Sequence, residues 1–194
     1  MTKELPSYVL IDDPKCLNRE ILRKVAKHFQ FPLSEEDKEI LRILEAKFDN
    51  EINMTGLAAP QIGFSRQAII FAVYDTPEMK KWRPDISDTM PKSIWLNPSY
   101  RPIGDEKSSD YESCFSVGEW AGEVERFNMV NYTAYLPNGE YIEGRARGFL
   151  ARAIQHEIDH LNGILFIDLV SKNKLITLDE YRRKRAERLK ANNP

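Results

Sequence analysis

The chain has 194 residues, 42% hydrophobic and 30% charged, a size and balance that suit one globular domain with a sizeable core. Its 28 basic and 30 acidic residues leave a net charge of −2, which argues against a general nucleic-acid binder, and no apolar run reaches the length of a membrane span. Two cysteines, Cys16 and Cys114, make no disulfide framework, and the opening MTKELPSYVL lacks the apolar core of a signal peptide; a reducing, cytoplasmic home is the expectation.

In chain order, Tyr8 to Ile11 reads as extended, and Leu17 to Phe29 as either a helix or an irregular turn. Ser34 opens a clear helix: with Asp37 it forms a relative of the capping box, and Ile40, Leu41, Leu44, Phe48 and Ile52 recur at three and four on one core-facing stripe. Gly56 to Gly63 concentrates small residues, Gly and Pro, which suits either a tight turn or a place where backbone approaches a ligand. Gln61 is the only long polar side chain in it. Ala68 to Val73 reads as a strand. The stretch 76–92, with Pro77, Pro84 and Pro91 and many charges, reads as a surface loop without an assigned role. Ser93 to Leu96 reads as a strand ending at Asn97-Pro98, and Gly104 to Asp110 as a turn. Tyr111 to Val117 reads as a strand or the end of one, and Asn128 to Leu136 and Tyr141 to Arg147 as a hairpin around Pro137-Asn138-Gly139-Glu140. A helix from Gly148 should stop at Gly163 as its C-cap. Ile164 to Ile167 reads as a last strand, and Leu178 to Lys190 as a charged terminal helix. No repeat appears and no linker divides the chain.

The helix from Gly148 carries the chemistry. It contains His156-Glu157-Ile158-Asp159-His160, an H-E-x-x-H pattern. Residues four apart share one helix face, so His156 and His160 can aim two imidazoles at one point. Glu157, about 100° further round, sets a carboxylate beside that point without joining the donors. Two neutral nitrogen ligands and a base for water are what hydrolysis at a divalent ion requires. Leu150, Ala153, Ile154, Ile158 and Leu161 surround these polar groups. A largely buried helix would leave the histidine pair in need of partners, which a metal supplies.

Two histidines leave the ion short of a third protein ligand. One metalloprotease continuation of the motif would end at Phe166, which cannot bind metal. A second takes a Glu from a later helix, for which Glu180 is the candidate. A third is Cys114, whose thiolate suits zinc or ferrous iron. A non-catalytic protein with a closed structural metal site is a separate alternative, which a fourth side-chain ligand would favour.

Three separated segments resemble the peptide deformylase family. Gly56-Leu57-Ala58-Ala59-Pro60-Gln61 is similar to its first motif, G-x-G-Φ-A-A-P-Q, without the first Gly. Glu112-Ser113-Cys114-Phe115-Ser116 is similar to the second, E-G-C-Φ-S. Gln155 to Gly163 is similar to the third, Q-H-E-x-D-H-L-x-G, with every fixed letter present. The order is the family's, and the likeness runs from near residue 8 to about 170.

The resemblance implies an α+β fold, with antiparallel β-sheets packed around a central helix carrying the H-E-x-x-H motif. It implies a catalytic domain over 1–170, with the charged tail 171–194 belonging to the same domain. Cys114, His156 and His160 would bind one divalent ion, Fe2+ in the family, with Zn2+, Ni2+ or Co2+ as substitutes. Glu157 would be general base and acid. The Gln61 amide and the Phe115 backbone N–H would form an oxyanion pocket, and Gly56 would let an extended peptide pass close. The implied reaction removes the N-formyl group from the N-terminal methionine of new polypeptides and releases formate. The substrate would be an N-formylmethionyl peptide, and the basic run Tyr181 to Arg185 would dock on the ribosome; a merely solvated helix face is the alternative for that run. Arg126 is expected either to pair with Glu112 or to lie on the surface, Asp159 to be an ion-pair partner rather than a ligand, and Trp120 to border the groove or to be an ordinary aromatic. The chain departs from the family pattern at Met54 and Ser113, where relatives carry Gly. Neither change removes a ligand, the base or the oxyanion amide, so they bear on substrate preference and rate. The remaining alternatives are an amidase of this type with altered acyl or peptide preference, and a metallopeptidase using Glu180.

Overall fold

Ser34 and Asp37 start the first helix, α1 (Glu35–Asn50), by capping each other. The Ser34 hydroxyl accepts the Asp37 N–H at 3.1 Å, and the Asp37 carboxylate accepts the Ser34 N–H at 3.2 Å. The computed structural model describes residues 4–52, 54–83, 86–170 and 174–191. Ile40, Leu41, Leu44 and Phe48 are buried as their spacing requires, but Ile52 lies beyond the end of α1 and is 87% exposed. Between residues 17 and 29 the chain is an irregular turn with a 3-10 segment, Arg19–Arg23, anchored by buried Leu22.

Gly56–Ala58 (β1) pairs antiparallel with Ala68–Val73 (β2), whose six residues are all buried. The expected loop at 76–92 instead holds a short helix, α2 (Pro77–Trp82), and the start of β3 (Met90–Pro102). The Thr76 side chain caps α2 by accepting the Met79 N–H, and Pro77 sits in the first turn, where its missing N–H costs nothing. Pro84 lies outside the described residues. β3 continues past Asn97-Pro98 because an irregularity in register between Leu96 and Ser99 absorbs the proline, with Asn97 at φ 48°.

The next strand, β4 (Lys107–Ser113), begins inside the stretch expected to turn and stops before Cys114, not at Val117. It is an edge strand with only Glu112 buried, so it lacks apolar alternation. It pairs with β5 (Trp120–Phe127). β6 (Met129–Tyr135) and β7 (Tyr141–Arg147) form the expected hairpin. Then comes α3 (Gly148–Leu161), which carries the H-E-x-x-H residues. Past its end Gly163 adopts φ +74°, and a Cβ there would lie 2.6 Å from the Arg23 carbonyl carbon, so glycine is required. Residues 164–167 do not form a strand: the Asp168 carboxylate accepts the Leu165 N–H at 2.8 Å and caps a single helical turn, α4 (Phe166–Leu169). The chain closes with β8 (Leu175–Thr177) and α5 (Leu178–Ala191).

The strands make two antiparallel sheets, ordered β1-β2-β3-β6-β7 and β4-β5-β8. α3 packs on strands of both sheets, and Leu150, Ala151, Ile154, Ile158 and Leu161 meet Ile69, Phe71, Trp95 and Val130 in the main core. Each such buried side chain is worth about 1.5–3 kcal/mol relative to exposure. The fold is the expected α+β arrangement around the motif-bearing helix. α5 packs on β5, β8 and α2, which brings the tail back across the molecule.

Candidate active site

α3 is buried almost all round, so its polar residues must find partners inside the protein. They find them on β4 and β5. Glu112 receives Arg126 Nε at 3.0 Å, Arg126 Nη2 at 2.9 Å and Arg152 Nη1 at 2.8 Å, and its Oε2 lies 2.9 Å from His156 Nδ1. Arg126 bonds Asp159 through its other nitrogen. Arg126 therefore pairs with Glu112, and Asp159 is an ion-pair partner. Burial alone would raise the Glu112 carboxyl, but the hydrogen bonds from His156 and Arg126 outweigh it and hold the group well below the usual carboxylate range. With Nδ1 committed to Glu112, Nε2 of His156 is the nitrogen left to face the centre.

Cys114 lies in the turn that follows β4, where its carbonyl accepts the Val117 N–H at 3.0 Å. Its sulfur is 3.3 Å from His160 Nε2. One ligand atom each from Cys114, His156 and His160 lies within 4.8 Å of the others. Bonds of about 2.0–2.3 Å in a tetrahedral set would put ligand atoms roughly 3.5 Å apart, so the three donors suit one ion. Burial, reinforced by the like charges of His156 and Arg126, holds His160 well below its ordinary value and hence neutral, the form that ligates. Among the described residues the cluster has no fourth donor, as an open rather than a closed site requires. Glu180 is not part of it; that side chain lies 3.7 Å from Lys184 on α5.

Glu157 stands beside the three donors, fully inside the protein, with Oε2 bonded to nothing. Burial pushes its carboxyl up to about 7. The space it occupies exists because residue 56 is glycine: a Cβ there would come within 2.3 Å of Glu157 Oε1. Gln61 is held from both ends, its Oε1 accepting the Ala58 N–H at 2.8 Å and its Nε2 donating to Cys114 Sγ at 3.2 Å. Phe115 follows Cys114, and Tyr8 stacks on its ring at 4.7 Å. The extended segment 8–11 ties these pieces together, with Val9 N–H donating to the Gln61 carbonyl at 2.8 Å and Ile11 N–H to the Ser116 carbonyl at 2.9 Å.

Gly56, Gln61, Glu112, Cys114, Phe115, His156 and Glu157 open on a cavity of about 530 Å³. Met54, Met79, Phe149 and Ala153 give it an apolar wall, and Ser113 also lines it. Trp120 is 42% exposed and does not line the cavity. Sequence reasoning missed two parts of this wall. Thr76, Met79 and Arg83 come from the segment read as a featureless loop, and Tyr181, Arg182 and Arg185 come from α5. The Thr76-Pro77 start signal could have revealed α2; nothing local could have placed α5 at the cavity. Arg152, which bridges Glu112 to the Val124 and Ser108 carbonyls, and Tyr8 were also passed over.

A helix-borne histidine pair, a cysteine sulfur from a neighbouring turn and a carboxylate in reach of the same point define the class of metal-dependent hydrolases. The family model for polypeptide deformylase matches residues 13–175, and the chain belongs to that family. It is 52% identical to peptide deformylase 2 of Rickettsia conorii over 97% of this chain and 95% of the relative. With peptide deformylase 2 of Ralstonia nicotianae it shares 37% identity over 74% and 76% of the two chains. The Met-Ala-Ser-bound class I type b peptide deformylase of Acinetobacter baumannii superimposes with a TM-score of 0.72 at 31% identity, covering 88% of this chain and all of that one. The actinonin complex of a Synechococcus elongatus peptide deformylase gives 0.68 at 29% identity, over 89% and 84%.

Proposed function

We propose that this chain removes the N-formyl group from the N-terminal methionine of new polypeptides and releases formate, using Glu157 and Gln61 at an ion held by Cys114, His156 and His160. The observation that carries this is the convergence of three donor atoms within 4.8 Å, with the unpartnered Glu157 carboxylate beside them. When bound, a divalent ion supplies Lewis acidity, making water a nucleophile near neutral pH and polarising a carbonyl. Ferrous iron is the proposed ion, for which this mixed sulfur and nitrogen set is as suitable as it is for zinc, nickel or cobalt.

Glu157 takes the proton from the attacking water. Its raised value near 7 suits a base at neutral pH, although a cation beside it would draw that value down. As the formyl carbon becomes tetrahedral, the Gln61 Nε2–H and the Phe115 backbone N–H donate to the oxygen that gains charge. A single donor of this kind is worth about 3–4 kcal/mol of barrier. Glu157 then hands its proton to the leaving amine. Met54, Met79, Phe149 and Ala153 offer the apolar slot that a methionine side chain needs. Gly56 serves first as the space for Glu157, and its backbone lines the cavity along which the peptide would lie. The peptide bound by the Acinetobacter relative, Met-Ala-Ser, makes formyl-Met-Ala-Ser a suitable test substrate. In this reading the tail 171–194 belongs to the catalytic domain, the protein works in the cytoplasm, and the exposed Arg183 and Lys184 of α5 are the groups that would meet the ribosome.

The test is formate release from formyl-Met-Ala-Ser by anaerobically prepared, iron-loaded protein, with acetyl-Met-Ala-Ser alongside. Formate from the first peptide alone, lost in Glu157→Ala with metal retained, is the expected result. No formate from the fully loaded protein would overturn the proposal, and turnover of the acetyl peptide would move it to an amidase of altered acyl preference.

A further inference from the structure

We infer that α5 is a working wall of the substrate site, and that Arg185, steadied by Tyr181, selects peptides carrying an acidic residue shortly after the formylmethionine. The inference rests on the deformylase reading above and adds a preference to it.

The cavity is larger than the formylmethionine needs. Its volume of about 530 Å³ corresponds to about 18 water-sized volumes, more than the non-hydrogen atoms of one formylmethionine. Cys114, His156 and Glu157 account for the formyl group, and the apolar wall for the methionine. Tyr181, Arg182 and Arg185 line the cavity as well, and the peptide beyond methionine is the part of the substrate left to meet them. The Tyr181 ring packs against that of Tyr111, 5.7 Å between centroids, which pins α5 to the residue next to Glu112. Arg185 Nη1 donates to the Tyr181 hydroxyl at 3.1 Å, and its guanidinium stands 5.8 Å from the same ring. A tyrosine on a helix pinned in this way therefore orients the guanidinium.

Charge accounting singles out this one residue. Among the cations lining the cavity, Arg83 pairs with Asp110, Arg152 with Glu112, and Arg182 with Asp179. Among the described residues no carboxylate forms an ion pair with Arg185. It is half-buried, so its field is screened less than that of a free surface charge. A guanidinium keeps several N–H donors in a planar fork after giving one to a hydroxyl, and a carboxylate is the group that fork fits best. Of the acidic groups of the cavity, Glu112 is saturated by Arg126, Arg152 and His156, and Glu157 forms no ion pair with Arg185 among the described residues. A basic residue at the second or third position of the peptide would meet Arg185 as a like charge.

The experiment compares kcat and KM for formyl-Met-Ala-Asp amide and formyl-Met-Ala-Lys amide, and for formyl-Met-Asp-Ala amide and formyl-Met-Lys-Ala amide, in the iron-loaded full chain. The expected result is a kcat/KM ratio of acid over lysine of roughly 5 to 20 in at least one pair, carried by KM and shrinking as salt is raised. In Arg185→Ala the ratio should fall to near 1, in Arg185→Glu it should invert, and in Arg185→Lys most of it should return. A ratio near 1 in the unaltered protein, or a ratio that survives Arg185→Glu, overturns the inference. If a variant folds poorly, the salt dependence of the ratio in the unaltered protein decides, and a salt-insensitive ratio counts against it. Formate from formyl-Met-Ala-Ser tests the deformylase reading by itself, so that reading can stand while this inference fails.

Discussion

Gly56 and Glu157 share a few ångströms of space, and that shared space is the most sensitive point in the site. A methyl group at residue 56 would sit 2.3 Å from Glu157 Oε1, so Gly56→Ala must push the carboxylate off its position. Formate release should fall about 100-fold or more, since a misplaced base loses most of the typical gain from acid–base catalysis. Metal content and thermal midpoint should stay close to those of the unaltered protein, as element analysis and a melting curve would show. Glu112 makes the opposite case. Glu112→Gln would leave Arg126, Arg152 and His156 Nδ1 inside the protein with their common anion gone. The expected loss is about 3–5 kcal/mol in urea unfolding, because breaking a buried ion pair strands the remaining charges. Metal affinity should drop about 10- to 100-fold in competition titrations, because the orientation of His156 depends on that carboxylate.

At the scale of elements, α1 and α3 separate stability from chemistry. Ser34→Ala removes the cap of α1, none of whose described residues lines the cavity, and should cost about 1 kcal/mol in chemical denaturation with kcat/KM unchanged. Both helices were legible in the sequence, α1 from its cap and period and α3 from its motif and buried face. β4 was not, because an edge strand with only Glu112 buried carries no alternating signal, and the polar run before Tyr111 imitated a turn. α4 was read as a strand because four apolar letters carry no period; the Leu165 N–H bond to Asp168 decided the matter. The candidate ligands, the base and the oxyanion amide were all visible as motif letters. The cavity wall was not: α2 and α5 reach it through tertiary packing, and neither α5's composition nor its period says where its inner face will land.

For the molecule as a whole, the core does not depend on an ion. Two apolar clusters, one joining α3 and one joining α1 to the five-stranded sheet, close without the cysteine and histidines, and only the third, smaller one takes in the Cys114 side chain. A chelator should therefore abolish formate release while leaving far-UV circular dichroism intact and lowering the melting temperature by a few degrees. Ferrous iron added under anaerobic conditions should restore both, with the shift growing with the logarithm of free metal concentration. Collapse of the secondary structure on chelation would show instead that the fold is metal-dependent.

The donors differ in how firmly they are held. His156, Glu157 and His160 ride on α3, whose amides belong to the most deeply packed part of the core and should exchange with solvent deuterium only through global opening. Cys114 sits in a turn after an edge strand. Local openings are expected to move the sulfur before they disturb the imidazoles. A bound ion is therefore expected to leave and enter past the Cys114 turn, so that the lifetime of the loaded enzyme should depend on that turn rather than on the helix.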